Sequence, residues 1–196
     1  MARIEIACKG GPIVIEADDD GVTIYGIDIE AERAAAAIGF DPSPCLVVLD
    51  NALVINAREG DADAVEILLA VGADVHAEDD YALQLAAYKG NTAVVEVLLA
   101  AGAGVHARDD DALRLTALSG HVDVVKRLLA AGADVHVGDN YALRWAAQKG
   151  HSAVVELLLA SGADVHAFDD AALRWAALEG HADVVQTLED WIEEHG

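Results

Sequence analysis

One pattern returns every thirty residues, without an insertion, over most of this chain of 196 residues. Asp80-Tyr81-Ala82-Leu83 comes back as Asp110-Asp111-Ala112-Leu113, as Asn140-Tyr141-Ala142-Leu143 and as Asp170-Ala171-Ala172-Leu173. An earlier copy starts at Asp50-Asn51-Ala52-Leu53. Gly90, Gly120, Gly150 and Gly180 fall in step, as do Val95, Val125, Val155 and Val185, and Leu98, Leu128, Leu158 and Leu188. A fixed period of this length is the mark of one supersecondary unit stacked on itself. Five units follow: 49–78, 79–108, 109–138, 139–168 and 169–196, the last cut short.

Each unit reads as two short helices. The first runs from Tyr81 to about Tyr88 in the second unit, rich in alanine, with Asp80 placed to cap its N-terminus. Gly90 ends it in the left-handed conformation. The second, about Thr92 to Ala101, puts Val94, Val97, Leu98 and Ala101 on one stripe. Helices this short fall below the ~12–15 residues that hold alone in water, so they must be stabilised by stacking on their neighbours. The fold class is mainly α, a solenoid of five helix-turn-helix repeats. Glu189, Asp190, Glu193 and Glu194 give the last unit a polar end, while Trp191 and Ile192 are expected to pack inward.

Composition narrows the function. Twelve Lys and Arg stand against thirty-five Asp and Glu, a net charge of −23, yet 54% of residues are apolar. That apolar share excludes an acidic disordered tail. The charge excludes bare nucleic acid and anionic membranes as direct partners. No run approaches the ~18 apolar residues of a membrane span, and Met1 to Ile6 lacks a signal peptide's apolar stretch. The expected setting is cytoplasmic.

The consensus Ala-Leu-x-x-Ala-Ala-x-x-Gly-His-x-x-Val-Val-x-x-Leu-Leu-x-x-Gly-Ala-Asp-Val, best kept from Ala142 to Val165, resembles the ankyrin repeat. The resemblance covers residues 49–196. It departs in two ways. The family's Thr-Pro-Leu-His is here Tyr141-Ala142-Leu143-Arg144 or a variant, and the family's period of about 33 is shortened to 30. The missing residues fall between His136 and Tyr141, where the family builds a projecting hairpin, so that finger is expected to be trimmed. Trimmed copies of this style resemble those of ankyrin proteins in large DNA viruses and some bacteria. The resemblance implies binding of a protein partner, with or without inhibition, and no catalysis.

Residues 1–48 stand outside the repeat. Ile4 and Ile6, Ile13 and Ile15, and Val22 and Ile24 alternate with polar residues, and Gly10-Gly11 and Asp18-Asp19-Asp20-Gly21 mark turns. Ile29 to Ile38 reads as a helix, and Pro42-Ser43-Pro44 breaks the chain before the first repeat. A three-stranded meander plus one helix is expected, capping the open end of the solenoid. Its alternative role is a second binding surface or a dimerisation edge.

No residue set suggests chemistry. Seven of eight histidines form two ladders, His76, His106, His136, His166 and His121, His151, His181. Members of a ladder sit one repeat apart, and packed helices are ~8–10 Å apart, too far to share a zinc ion bound at ~2 Å. They are expected to bond loop backbone. No catalytic residue, metal or cofactor is assigned.

Functional weight falls on two columns. Asp79-Asp80, Asp109-Asp110-Asp111, Asp139 and Asp169-Asp170 form an acidic row along the trimmed loops, with more Asp than helix capping requires. Gln84, Arg114, Arg144 and Arg174 share one position on the first helix, joined by Tyr81, Tyr141, Trp145 and Trp175, a composition enriched in binding hot spots. Two readings of the arginines stay open: pairing with loop Asp, or an Arg-aromatic patch on the concave face. The leading function is a protein-interaction module, monomeric unless residues 1–48 pair. The alternative is a DNA mimic that fills the nucleic-acid site of a basic protein. Nine basic against twenty-six acidic residues from 49 onward, spread along ~45 Å of stacked helices, give one charge per ~2.6 Å, comparable with the ~1.7 Å of duplex DNA.

Overall fold

The computed structural model describes the backbone of residues 2–8, 11–18, 21–25 and 44–195, with side chains from Leu49 to His195. Strands β1 (Ala2–Cys8), β2 (Gly11–Asp18) and β3 (Gly21–Tyr25) pair antiparallel in that order, Ile4 opposite Ile15 and Ile15 opposite Ile24. The helix expected over 29–38 lies outside the described residues.

Among the described residues ten helices follow, in five pairs. They are α1 (Pro44–Glu59) with α2 (Ala62–Ala70), α3 (Ala77–Lys89) with α4 (Thr92–Ala100), and α5 (Ala107–Ser119) with α6 (Val122–Ala130). Then come α7 (Val137–Lys149) with α8 (Ser152–Ala160), and α9 (Ala167–Glu179) with α10 (Ala182–His195). Pro44 does not stop the chain short of the repeats; it opens α1, where its fixed φ suits a first turn and its missing N–H costs nothing. The first helix of each pair packs on the first helix of the next, and the second on the second.

The period of thirty makes the core a set of columns. Leu53, Leu83, Leu113 and Leu143 form one, fully buried between successive first helices. Leu68, Leu98, Leu128, Leu158 and Leu188 form another under the second helices. Ala86 with Ala87 and Ala146 with Ala147 are equally buried, their small side chains letting neighbouring helices close up. In the Ala86 position the third unit carries Thr116, whose buried hydroxyl has no hydrogen-bond partner. Trp191 and Ile192 pack half-buried against the core, as expected.

Between units the chain does something the pattern did not announce. Residues 78–80, 108–110, 138–140 and 168–170 all lie at φ 51–60° and ψ 34–57°, a full left-handed turn wound into the start of a right-handed helix. Eleven of these twelve residues carry a β-carbon; only Gly138 does not. The left-handed conformation costs an L-residue ~1–2 kcal/mol, and Asp and Asn visit it most readily among side-chain-bearing residues. The middle and last positions of every turn are accordingly Asp or Asn, and only the first position varies: Glu78, Arg108, Gly138, Phe168. This turn stands where the trimmed finger was expected.

Candidate protein-docking edge

Three of the four strained turns are held by the connection at the far end of the unit they open. Asp80 does not cap its own helix, which corrects the sequence expectation. Its Oδ1 accepts the Gly104 amide, twenty-four residues on, at 2.7 Å, and the residue is only 7% exposed. Asp110 likewise accepts the Asp134 amide at 3.0 Å and Asn140 the Asp164 amide at 2.9 Å, and Asp50 accepts the Asp74 amide at 2.7 Å in the first unit. Asn works in place of Asp because the bond needs an acceptor oxygen and no charge. Three members of the first histidine ladder meet the last residue of their turn: His76 Nδ1 lies 3.0 Å from Asp80, His106 3.2 Å from Asp110 and His166 2.7 Å from Asp170. These contacts stay within one turn, so the expected bonds to inter-repeat backbone are not what this ladder makes.

The second ladder does make them. His121, His151 and His181 place Nε2 2.9–3.1 Å from the carbonyls of Tyr88, Leu118 and Gln148, thirty-three residues back. Each ring lies so close to Gly90, Gly120 or Gly150 that a β-carbon there would sit 2.6 Å from Nδ1. Asn91 fills the same seat one unit earlier, donating to Ala57 O and Arg58 O.

With these bonds assigned, the acidic row divides. Asp80 and Asp110 are buried and engaged, and Asp111 is folded under Arg114, which bonds it through Nε and Nη2. Asp170 meets His166. The exposed remainder is one carboxylate per unit, Asp79, Asp109, Asp139 and Asp169, at the middle of each turn. Asp79 is approached by Arg108 at 3.5 Å across solvent.

The column of Gln84, Arg114, Arg144 and Arg174 divides too. Gln84 is buried and donates to Asp79 O at 2.7 Å. Arg144, 4% exposed, does the equivalent work with Nε on Asp139 O at 3.0 Å and Nη2 on Gly138 O at 2.6 Å. Both side chains satisfy carbonyls that the left-handed turn turns away from the helix. Arg144 is therefore not a surface cation. Arg114 pairs with an Asp of its own helix, and Arg174 is exposed.

Arg144 nonetheless organises a surface. Its guanidinium lies 4.4 Å from the ring centre of Tyr141, 4.7 Å from Phe168 and 5.4 Å from Trp175, all within cation–π range. Tyr141 remains 39% exposed and Phe168 55%. A buried cation thus fixes three rings from two successive units, two of them showing a wide apolar face. Tyr81 and Trp145 are half-buried and sit outside this cluster. Phe168 escaped the sequence reading because it occupies the one variable position of the turn. Aligning that position alone, as Glu78, Arg108, Gly138 and Phe168, would have singled it out.

Beside the cluster, between the turns of the third and fourth units, runs a groove of about 510 Å³. Its floor is Leu113, Val135, Val137 and Ala142, with Tyr141 as a wall. Arg108, Asp109, Arg114 and Asp134 form the rim. A groove between the first two units, bounded by α1 and by Glu78, holds about 250 Å³.

Among the described residues no helix is long and apolar enough to cross a membrane. A family model described as ankyrin repeats, three copies, matches the chain twice, over residues 53–139 and 113–191. No curated protein matches it.

Proposed function

Because the chain belongs to the ankyrin-repeat family, whose arrays are generally non-catalytic protein–protein interaction modules, we propose that it binds a folded partner protein along the turn edge of its third to fifth units. The observation that carries this is the exposed aromatic pair, Tyr141 and Phe168, immobilised on the buried Arg144. Aromatic rings held rigid before binding lose little entropy on association and are favoured as anchors. Asp109, Asp139 and Asp169 flank them and tune association rate and partner choice more than affinity. In the same reading the protein acts as a monomer inside the cell, inhibiting or scaffolding its partner, and residues 1–48 cover the open end of the first unit.

The DNA-mimic alternative rests on the exposed Asp of each turn, one per unit. It draws less support than the whole row would give, because Asp80, Asp110 and Asp111 are spent on hydrogen bonds and on Arg114. Capture of partners from a host lysate separates the two readings. Tyr141→Ala with Phe168→Ala should abolish capture, while Asn at 79, 109, 139 and 169 should leave it largely intact at moderate salt. Loss on the Asn substitutions or on raising salt, with the aromatic variant unaffected, would replace the module reading with the mimic.

A further inference from the structure

We propose that the groove between the third and fourth units receives a Lys or Arg side chain of the partner protein. This rests on the interaction-module reading and names the chemistry of one contact in it. The floor is apolar: Leu113, Val135, Val137 and Ala142. An apolar trough with charges only at its rim suits a side chain with a long aliphatic stem and a charged head.

The sign of that head follows from how the rim charges are spent. Arg114 is committed to Asp111 through two of its nitrogens. Arg108, on the rim, reaches toward the preceding turn, its Nε 3.5 Å from Asp79 and its Nη2 3.4 Å from Glu78 O. Asp110 is buried, shared between the Asp134 amide and His106. What remains is two exposed carboxylates. Asp109 has no ion pair among the described residues, and Asp134 accepts only the backbone amide of His136, at 2.9 Å. Their field adds to that of a chain carrying −23 overall, so a cation is drawn in and an anion is repelled.

The seat owes one wall to Gly138. Its counterparts are Glu78, Arg108 and Phe168, each with a side chain at the turn's first position. Without one, the Tyr141 ring settles over the backbone, so close that a β-carbon at 138 would lie 2.1 Å from Cδ2. The ring thereby becomes the groove's wall.

The test is an amide NMR titration of the full chain with two blocked pentapeptides, one with a central arginine among alanines and one with a central glutamate. The arginine peptide should shift Val135, Val137, Gly138 and Tyr141, and the glutamate peptide should leave them still. Asp109→Asn with Asp134→Asn keeps shape, hydrogen-bond acceptors and left-handed tolerance, and should weaken the arginine peptide about fivefold, two exposed charge pairs being lost. Asp169→Asn, outside the groove, should not weaken it. Equal binding by the double variant, or shifts scattered over the acidic surface without these four residues, overturns the proposal. Capture of the partner by wild type and by the double variant alike would overturn it while leaving the module reading intact. Capture insensitive to Tyr141→Ala with Phe168→Ala would remove the module reading itself.

Discussion

Neighbouring aspartates in the same turn have opposite fates. Asp79 and Asp80 share a residue type and a φ of 59°, as Asp109 and Asp110 share a left-handed backbone. The middle residue of these two turns points to water, while the last is buried and accepts an amide from the far end of its own unit. The last column is architecture and the middle column is surface. Acid density counted along the sequence adds the two together and overstates the charge offered to a partner. Both columns are Asp or Asn for one shared reason, the left-handed backbone, and only the last is so for a bond as well.

Substitutions sharpen the contrast, most strongly in the buried column. Asp110→Ala removes the acceptor for the Asp134 amide, leaves that donor unsatisfied and puts a less tolerant residue at φ 53°. It should cost about 2–4 kcal/mol in urea unfolding. Asp110→Asn, which copies what Asn140 already does, should cost under about 1 kcal/mol; a large loss there would mean the charge matters and the bond does not. Gly120→Ala, at φ 80° and with the His151 ring against it, should cost about 2–3 kcal/mol by the same assay. His151→Ala should cost about 1 kcal/mol, and His151→Asn less, since Asn91 holds the equivalent seat. Thr116→Ala should raise stability by up to about 1 kcal/mol by removing an unsatisfied buried hydroxyl. Smallest of all, Asp109→Asn should stay within about 0.5 kcal/mol, and a drop matching Asp110→Ala would erase the distinction between the columns.

The array was legible because a period of thirty forces like residues into columns: Leu83, Leu113 and Leu143 meet whatever the details of the turns. The second histidine ladder was legible for the same reason, a ring one unit on from a glycine. The left-handed turn was not, because Asp at a helix start reads equally as a cap, and dihedral angles leave no periodic trace. Its signal was a doubled Asp or Asn where one cap would do. Arg144 was read as a candidate surface cation because the pattern sees its column and not the carbonyls of Gly138 and Asp139 that draw it in. Phe168 and the groove were hidden in the position that does not repeat, where one turn differs most from the next.

Amide hydrogen exchange at Gly104, Asp134 and Asp164 tests most directly whether these turns are latched to the far end of their own units. These three amides lie in surface connections, yet they donate to Asp80, Asp110 and Asn140. They should exchange slowly, with protection approaching that of the leucine columns, and Asp110→Ala should release Asp134 while leaving Gly104 slow. Exchange of all three at the rate of free loop amides would contradict the latch, and with it the division of the acidic row.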